Sequence, residues 1–337
     1  MKAFLTLSVI LILLYLIGYI NRSGTHVEWM SRDYTNALKG FAILTVLWAH
    51  TGAWSGVEGI QFIAGIGVAL FLLCSGYGLQ IAFEKTGLKG FWKKRLFRVA
   101  IPFWLVETIG LLVTGQWDFK IWALDALLFR PATAFGWYIQ FIAICYILFY
   151  FVQLAVMKRT FGETTALNEK LLYGIFLLWF LIDSLFLANP MMPFLRARQM
   201  LSFPLGVSIA RHRKQAEAFF IKPGVFLISF VNGIMFMAVT QLRPVKESPY
   251  LIQNLLSLCT VLPLAVALIS MTDRWRRLAD NSTLKALGLI SYEVYLVHVF
   301  TLGLLQGTLW SAIIFVGITL IGAWSLHMIF ERFIKRG

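Results

Sequence analysis

The sequence predicts an all-α polytopic membrane protein, and three observations carry that prediction. Of its 337 residues, 59% are hydrophobic and 14% charged, whereas soluble domains run near 45–50% and about 25%. Apolar runs close to the roughly 20 residues needed to cross a bilayer recur along the whole chain. Lysine and arginine gather in alternate connections between those runs, as they do in membrane proteins of fixed orientation.

Charged residues punctuate eleven candidate spans: Phe4–Ile20, Gly40–Trp54, Ile60–Phe83, Val99–Thr114, Trp137–Val156, Leu171–Ala188, a short Leu201–Ile209, Val225–Val239, Leu251–Met271, Leu287–Leu305 and Leu309–Phe330. None alternates apolar and polar residues as an outer-membrane strand does. Hydrocarbon offers no partner to backbone polar groups, so each is expected to be a helix. The first run follows Lys2 and has the outline of a signal peptide. Gly18-Tyr19-Ile20-Asn21-Arg22 provides no small-x-small cleavage site, however, and a retained helix is expected.

Placing Lys85–Arg98 in the cytosol puts 23 of the 30 basic residues inside and 6 outside, a strong positive-inside pattern with a cytosolic C-terminus. The net charge of +14 is thereby topology, and it does not call for a nucleic-acid partner. Cys74, Cys145 and Cys259 lie in apolar runs without C-x-x-C spacing, which excludes a disulfide framework and a zinc site of that type. No metal is expected. The loops are too short for a separate soluble domain, so the chemistry belongs in the membrane.

Polar side chains inside spans are costly and are the functional candidates. Lys39 and His50 are eleven residues apart, three helical turns, which puts them on one helix face about 16 Å apart. Arg95 and Arg98 stand one turn apart before Pro102, a spacing that would set two guanidinium forks side by side for phosphate. A stop-transfer cluster is the plainer reading of each arginine taken singly. Phe71-Leu-Leu-Cys-Ser75-Gly76-Tyr77-Gly78 admits close approach of a helix or ligand. Ser291, Tyr295 and His298 follow i, i+4, i+7 spacing and form one stripe. Glu293 falls off that stripe and is expected among the headgroups. His327 and Glu331, four apart, read as a structural pair, and Glu107 and Asp183 are isolated acids.

Taken together, Lys39-x10-His50, Phe71 to Tyr77, Arg95-x-x-Arg98 before Pro102, Trp137-Tyr138, Ser291 to His298 and Phe330-Glu331-Arg332 resemble, in order and spacing, the acyltransferase-3 family of integral membrane acyltransferases. The resemblance covers residues 30–337. It implies a bundle of ten core transmembrane helices, leaving residues 1–29 as an extra N-terminal helix and linker. It also implies transfer of an acyl group, usually acetyl, from cytosolic acyl-CoA to a hydroxyl of a cell-envelope carbohydrate or related acceptor, as in polysaccharide O-acetylation at a plasma membrane. In that family the basic-x10-His pair is essential and the Arg-x-x-Arg pair lies by the coenzyme. Two positions depart from the usual pattern: Asn36 stands where aspartate is common, and Lys39 where arginine is.

On this reading acetyl-CoA is the donor, its phosphates on Arg95, Arg98 and Lys39. His50 is general base or acyl carrier, and both routes remain open. Ser75, Tyr77, Trp137, Ser291, Tyr295, His298 and Glu331 are candidates to line the acceptor or oxyanion region. Longer relatives append an extracytoplasmic esterase-like domain, and in its place a separate extracytoplasmic transferase or a second copy of this chain is the protein partner to consider. The rival classes are a transporter or flippase of a lipid-linked sugar, whose usual internal repeat the sequence lacks, and a non-catalytic membrane sensing module.

Overall fold

The computed structural model describes residues 2–24, 26–57, 61–133, 136–157, 164–187, 195–275 and 277–336, and these contain sixteen α-helices and no strand. The outer ends of two expected spans, Ile60 and Ala188, lie outside them.

Helix α1 (Lys2–Ile20) is followed by α2 (Arg32–Trp54), which starts eight residues before the apolar run because Ser31 caps it, its Oγ accepting from Tyr34 N–H at 3.3 Å. Helix α3 (Gln61–Thr86) is the most enclosed of the long apolar helices. Next come α4 (Phe91–Arg95), a π-helical turn over Leu96–Ala100 and α5 (Ile101–Val113). Pro102 accounts for that turn. It has no N–H for the Arg98 carbonyl and its ring crowds it, so the backbone widens and Ile101 N–H donates to Leu96 O instead. Short α6 (Phe119–Ala126) is capped by Asp118. Helices α7 (Trp137–Met157) and α8 (Thr164–Ile182) follow, the latter running into a second π turn, Asp183–Leu187.

A 3₁₀ turn at Ala197–Gln199 leads to α9 (Ser202–Arg211), α10 (Arg213–Phe220), α11 (Pro223–Thr240), α12 (Arg243–Lys246) and α13 (Tyr250–Arg274). The chain closes with α14 (Ser282–Leu289), α15 (Ser291–Thr301) and α16 (Leu309–Arg336).

Six helical segments among the described residues are long and apolar enough to cross a membrane, and α14 with α15 makes a seventh if the pair is one span. The expected count of ten core helices is therefore not reached on this measure. Helix α2 has the length but carries Arg32, Asp33 and Lys39; α8 opens on Asn168, Glu169 and Lys170. Helix α9 has ten residues, about 15 Å of rise, and is a largely buried core helix. The expected single helix over Leu287–Leu305 is instead bent by 75° between α14 and α15.

Close backbone approach fixes the helices around α3. Gly76 faces the Phe203 carbonyl and Gly206 the Leu73 carbonyl, so α3 and α9 each present a glycine to the other's backbone. Gly40 against the Leu284 carbonyl and Gly288 against the Asn36 carbonyl do the same for α2 and α14. Any side chain there would separate helices that must meet to form the site. The extra N-terminal helix is docked: Trp48 Nε1 donates to Ser8 Oγ at 2.8 Å, and Asn281 Nδ2 to Tyr15 O at 2.9 Å. Its Leu7 and Leu11 are buried, whereas Ile12, Leu13 and Leu16 are exposed, as expected of a lipid-facing surface.

Candidate functional site

A cleft of about 460 Å³ opens where α2, α3, α7, the first π turn and the α14–α15 break converge. Arg32, Thr35 and Lys39 enter it from α2, spaced i, i+3, i+7 on one face. Cys74, Ser75 and Gly78 come from α3, Arg98 from the π turn, Tyr138 and Tyr146 from α7, and Ser291, Tyr292 and Tyr295 from α15. Three cations line this space and, among the described residues, no Asp or Glu does. Such a lining favours an anionic occupant, and low-dielectric walls concentrate its field.

The broken helix builds one wall. Ser291 Oγ donates to Gly288 O at 2.9 Å across the break, and Tyr292 OH donates to Val99 O at 2.9 Å, tying α15 to the π turn. Ser291 thus gives its proton to the backbone and offers lone pairs to the cleft. Ser75 Oγ and Tyr146 OH share a hydrogen bond of 3.0 Å, which puts a hydroxyl pair on the opposite wall.

The π turn separates the two arginines expected to act side by side. Arg98 lines the cleft. Arg95 instead has its guanidinium over the rings of Phe91, at 5.0 Å, and Tyr146, at 5.2 Å. A π turn rotates successive side chains less than an α-helix does, so three residues no longer bring the chain back to one face. Arg95 therefore reaches the site through Tyr146, as a cation–π support.

Beyond the cleft lies a pair of histidines. His50 on α2 and His298 on α15 stack with ring centroids 5.1 Å apart and an interplanar angle of 13°, and His50 Nδ1 meets His298 Nε2 at 2.8 Å. His298 Nδ1 meets the Tyr295 carbonyl at 2.6 Å. A carbonyl only accepts, so this contact assigns the His298 proton to Nδ1 and leaves a lone pair on Nε2. His50 must then donate from Nδ1, which directs its own lone pair to Nε2. The backbone of α15 thereby sets both tautomers.

Tyr295 connects the two regions. It lines the cleft, its ring centroid lies 5.4 Å from that of His298, and it packs at 5.0 Å and 61° against Tyr138. Neither histidine is among the cleft's lining residues; Tyr295 touches the pair through His298.

The remaining sequence candidates sit elsewhere. Tyr77 is buried on α3, and Trp137 packs on Tyr138 and Phe141, so that its neighbour Tyr138 supplies the cleft wall. Glu331 lies near the end of α16, away from the cleft lining. Glu293 is not a headgroup residue: its carboxylate meets His327 Nδ1 at 2.9 Å and links α15 to α16. Neither of the two lone acids is isolated. Asp183 pairs with Arg196 at 2.7 Å, and Glu107 has Asp125 as its neighbour.

Sequence reasoning missed Arg32, Tyr138, Tyr146 and Tyr292. The i, i+3, i+7 spacing of Arg32, Thr35 and Lys39 was the available signal for the first. The tyrosines belong to the helices already singled out and carry no separate one. No group of three His, Cys, Asp or Glu side chains among the described residues is placed to hold a metal ion.

Comparison with known proteins matches residues 32–328 to a family model described as an acyltransferase domain. No curated protein matches, and no solved structure does.

Proposed function

This chain belongs to the acyltransferase-3 family, and from that premise we propose that it moves an acyl group, acetyl in the simplest case, from acyl-CoA to a hydroxyl of a cell-envelope carbohydrate or related acceptor. The observation that carries the proposal is the joining of a cationic cleft to an oriented histidine pair through one tyrosine.

In this reading the coenzyme's phosphates lie against Arg98, Lys39 and Arg32, where guanidinium forks and an ammonium supply charge-assisted hydrogen bonds. The pantetheine arm runs toward Tyr295, whose ring gives way to admit the thioester to His50. His50 Nε2 removes the proton of the acceptor hydroxyl as that oxygen attacks the thioester carbonyl. Ser75, backed by Tyr146, donates to the oxyanion that forms. Collapse of the intermediate breaks the carbon–sulfur bond, and the proton held by His50 passes to the departing thiolate, giving the acyl ester and free coenzyme A. In the alternative order His50 Nε2 attacks the thioester first and carries the acyl group. A trapped acyl-imidazole would select that route.

The charge distribution supports a plasma-membrane protein with the cleft and C-terminus cytosolic, since Arg98 and Lys39 fall in the basic connections. The test is direct. Purified protein is given acetyl-CoA labelled in the acetyl group, and release of free thiol is followed. The acceptor is then sought as a missing acetyl mass in envelope glycans and lipids of cells lacking the gene. Thiol release that depends on His50 is expected; a folded protein that neither binds nor consumes acetyl-CoA overturns the proposal.

A further inference from the structure

At the other end of α3 is a second cavity, of about 430 Å³, that the acyl-transfer reading does not use. Its wall includes Phe62 at the start of α3, whereas Gly78 of the first cleft lies sixteen residues further along the same helix, about 24 Å by helical rise. The two cavities therefore open toward opposite ends of the bundle. The second is walled by the end of α11, by α12, by the first half of α13 and by Arg198 of the 3₁₀ turn.

Arg198 is the unusual feature. Its Nε is sealed from solvent and has no hydrogen-bond partner among the described residues. The guanidinium packs close to Gly65, where an added Cβ would stand 3.2 Å from Cζ. Burial lowers its pKa to about 10, so it stays cationic at neutral pH. An enclosed arginine without an acid is costly to maintain, and no Asp or Glu among the described residues lines this cavity. Asp183, fifteen residues before Arg198, is taken by Arg196, and Glu247, beside Lys246, by Arg243.

Three of the five neutral polar side chains there are also engaged with the backbone. Thr260 Oγ1 donates to Leu256 O, Thr240 Oγ1 to Met237 O, and Gln253 Nε2 to Lys246 O and Ser248 O. What the wall offers an occupant is therefore positive charge: Arg198 inside and the exposed Lys246 at the rim.

We infer that this cavity is a binding site for a phosphate monoester, with the Arg198 guanidinium as its principal ligand and Lys246 completing the charge. Two uncompensated cations match a dianionic phosphate better than a singly charged carboxylate, and a guanidinium fork binds phosphate oxygens in pairs. The apolar part of the wall, Phe62, Met237, Val245 and Val261, suits the body that carries the phosphate. That body is a sugar phosphate in solution or a lipid phosphate from the bilayer. Treating this ligand as the acceptor rests on the acyl-transfer reading, but the binding itself does not.

The experiment uses the full chain in nanodiscs, with glucose 1-phosphate and farnesyl phosphate as probes and glucose and farnesol as controls, read by calorimetry. At least one phosphate probe should bind and its neutral control should not; which phosphate binds more tightly tells the soluble source from the lipid one. Arg198→Gln should weaken that binding about tenfold to hundredfold, the range of a hydrogen bond to a charged group. Arg198→Lys should recover part of the loss. Ser257→Trp, which fills the cavity and leaves the arginine in place, should abolish binding and decides the matter if Arg198→Gln does not fold. Phosphate binding no tighter than that of the neutral controls, or unchanged binding in folded Arg198→Gln or Ser257→Trp protein, overturns the inference. Acetyl-CoA binding is measured on the same samples. Its retention when phosphate binding is missing refutes this site alone, and its absence when phosphate binds refutes the acyl-transfer reading while this site stands.

Discussion

Replacing His298 by alanine tests whether His50 works as one member of an ordered pair. The imidazole of His298 has no solvent exposure and stands between two contacts, the Tyr295 carbonyl at 2.6 Å and His50 Nδ1 at 2.8 Å. Its loss removes the acceptor of the His50 Nδ1 proton, so that the ring is free to change tautomer and to swing from its stacked position. A buried hydrogen bond of this kind is worth about 1–3 kcal/mol, which at 1.36 kcal/mol per decade predicts a fall in kcat of roughly fivefold to 150-fold. KM for acetyl-CoA should hardly move, because His298 does not line the cleft. His50→Ala removes the base itself and should cost about 10² to 10⁴. The measurement is steady-state thiol release from acetyl-CoA by both variants and by His298→Gln, whose amide oxygen can accept from His50 and should restore part of the rate. If folded His298→Ala turns over like the parent protein, the pair is structural and the tautomer argument fails. If it loses as much as His50→Ala and glutamine restores nothing, His298 is the reacting base and the order of the two is reversed.

Other expectations follow from the same geometry. Arg98→Ala should weaken acetyl-CoA binding about tenfold to hundredfold and leave thermal stability nearly unchanged, while Arg95→Ala should do the opposite because its guanidinium sits on the Phe91 and Tyr146 rings; equal losses of binding in both would restore the two-arginine phosphate clamp. Asp280 accepts from Ser23 Oγ at 2.6 Å and Gly24 N–H at 2.7 Å and pairs with Lys285 at 3.0 Å. Burial opposes its charge, but those hydrogen bonds and the lysine more than offset it, and its pKa falls below the ordinary 3.8. A depressed carboxyl stabilises the fold fully above its unfolded pKa and loses that contribution as pH falls through the folded value. Asp280→Asn should thus lower stability by about 1–3 kcal/mol at neutral pH, and the gap from the parent should close below about pH 4; a gap that persists in acid melts rules out the charge as its cause. Single cysteines at 118 and 247, in a background lacking the native three, should label with impermeant maleimide in intact cells while those at 89 and 213 should not. Labelling at 89 reverses the orientation.

How much of this could be read from the sequence depends on the range over which each feature is encoded. The stripe of Ser291, Tyr295 and His298 was legible because it is local: i, i+4, i+7 spacing on a helix places side chains on one face whatever surrounds them. The placement of Lys39 and His50 along one helix was legible for the same reason. The contact between His50 and His298 was not, since the two residues are 248 positions apart and no local rule joins α2 to α15. Its structural cause is instead a pair of glycines, Gly40 and Gly288, that let α2 and α14 meet backbone to backbone. In a hydropathy profile those glycines look like neutral gaps.

Two of the misreadings share a physical origin, the assumption that an apolar run is one regular α-helix. Pro102 was visible, yet its effect falls upstream on the Arg98 carbonyl, where it opens the π turn that parts Arg95 from Arg98. The run from Leu287 to Leu305 is apolar on average despite Ser291, Glu293 and His298, so its mean hydropathy does not mark the 75° break, although Ser291 donating to the Gly288 carbonyl shows how the loose end is satisfied. Both irregularities border the same cleft, and each does work there that a straight helix does not. The π turn delivers Arg98 to the cleft and hands Arg95 to Tyr146, while the break brings Gly288, Ser291 and Tyr292 to the cleft wall. Backbone that departs from the regular helix inside a membrane is tolerated where it lines a protein cavity rather than lipid. Restoring regularity is therefore the perturbation that separates fold from site: Pro102→Ala, which returns an N–H to the Arg98 carbonyl, should keep or raise thermal stability while Arg98 moves off the cleft and acetyl-CoA binding weakens. Tighter or unchanged binding in that variant would show that the π turn is incidental to the site.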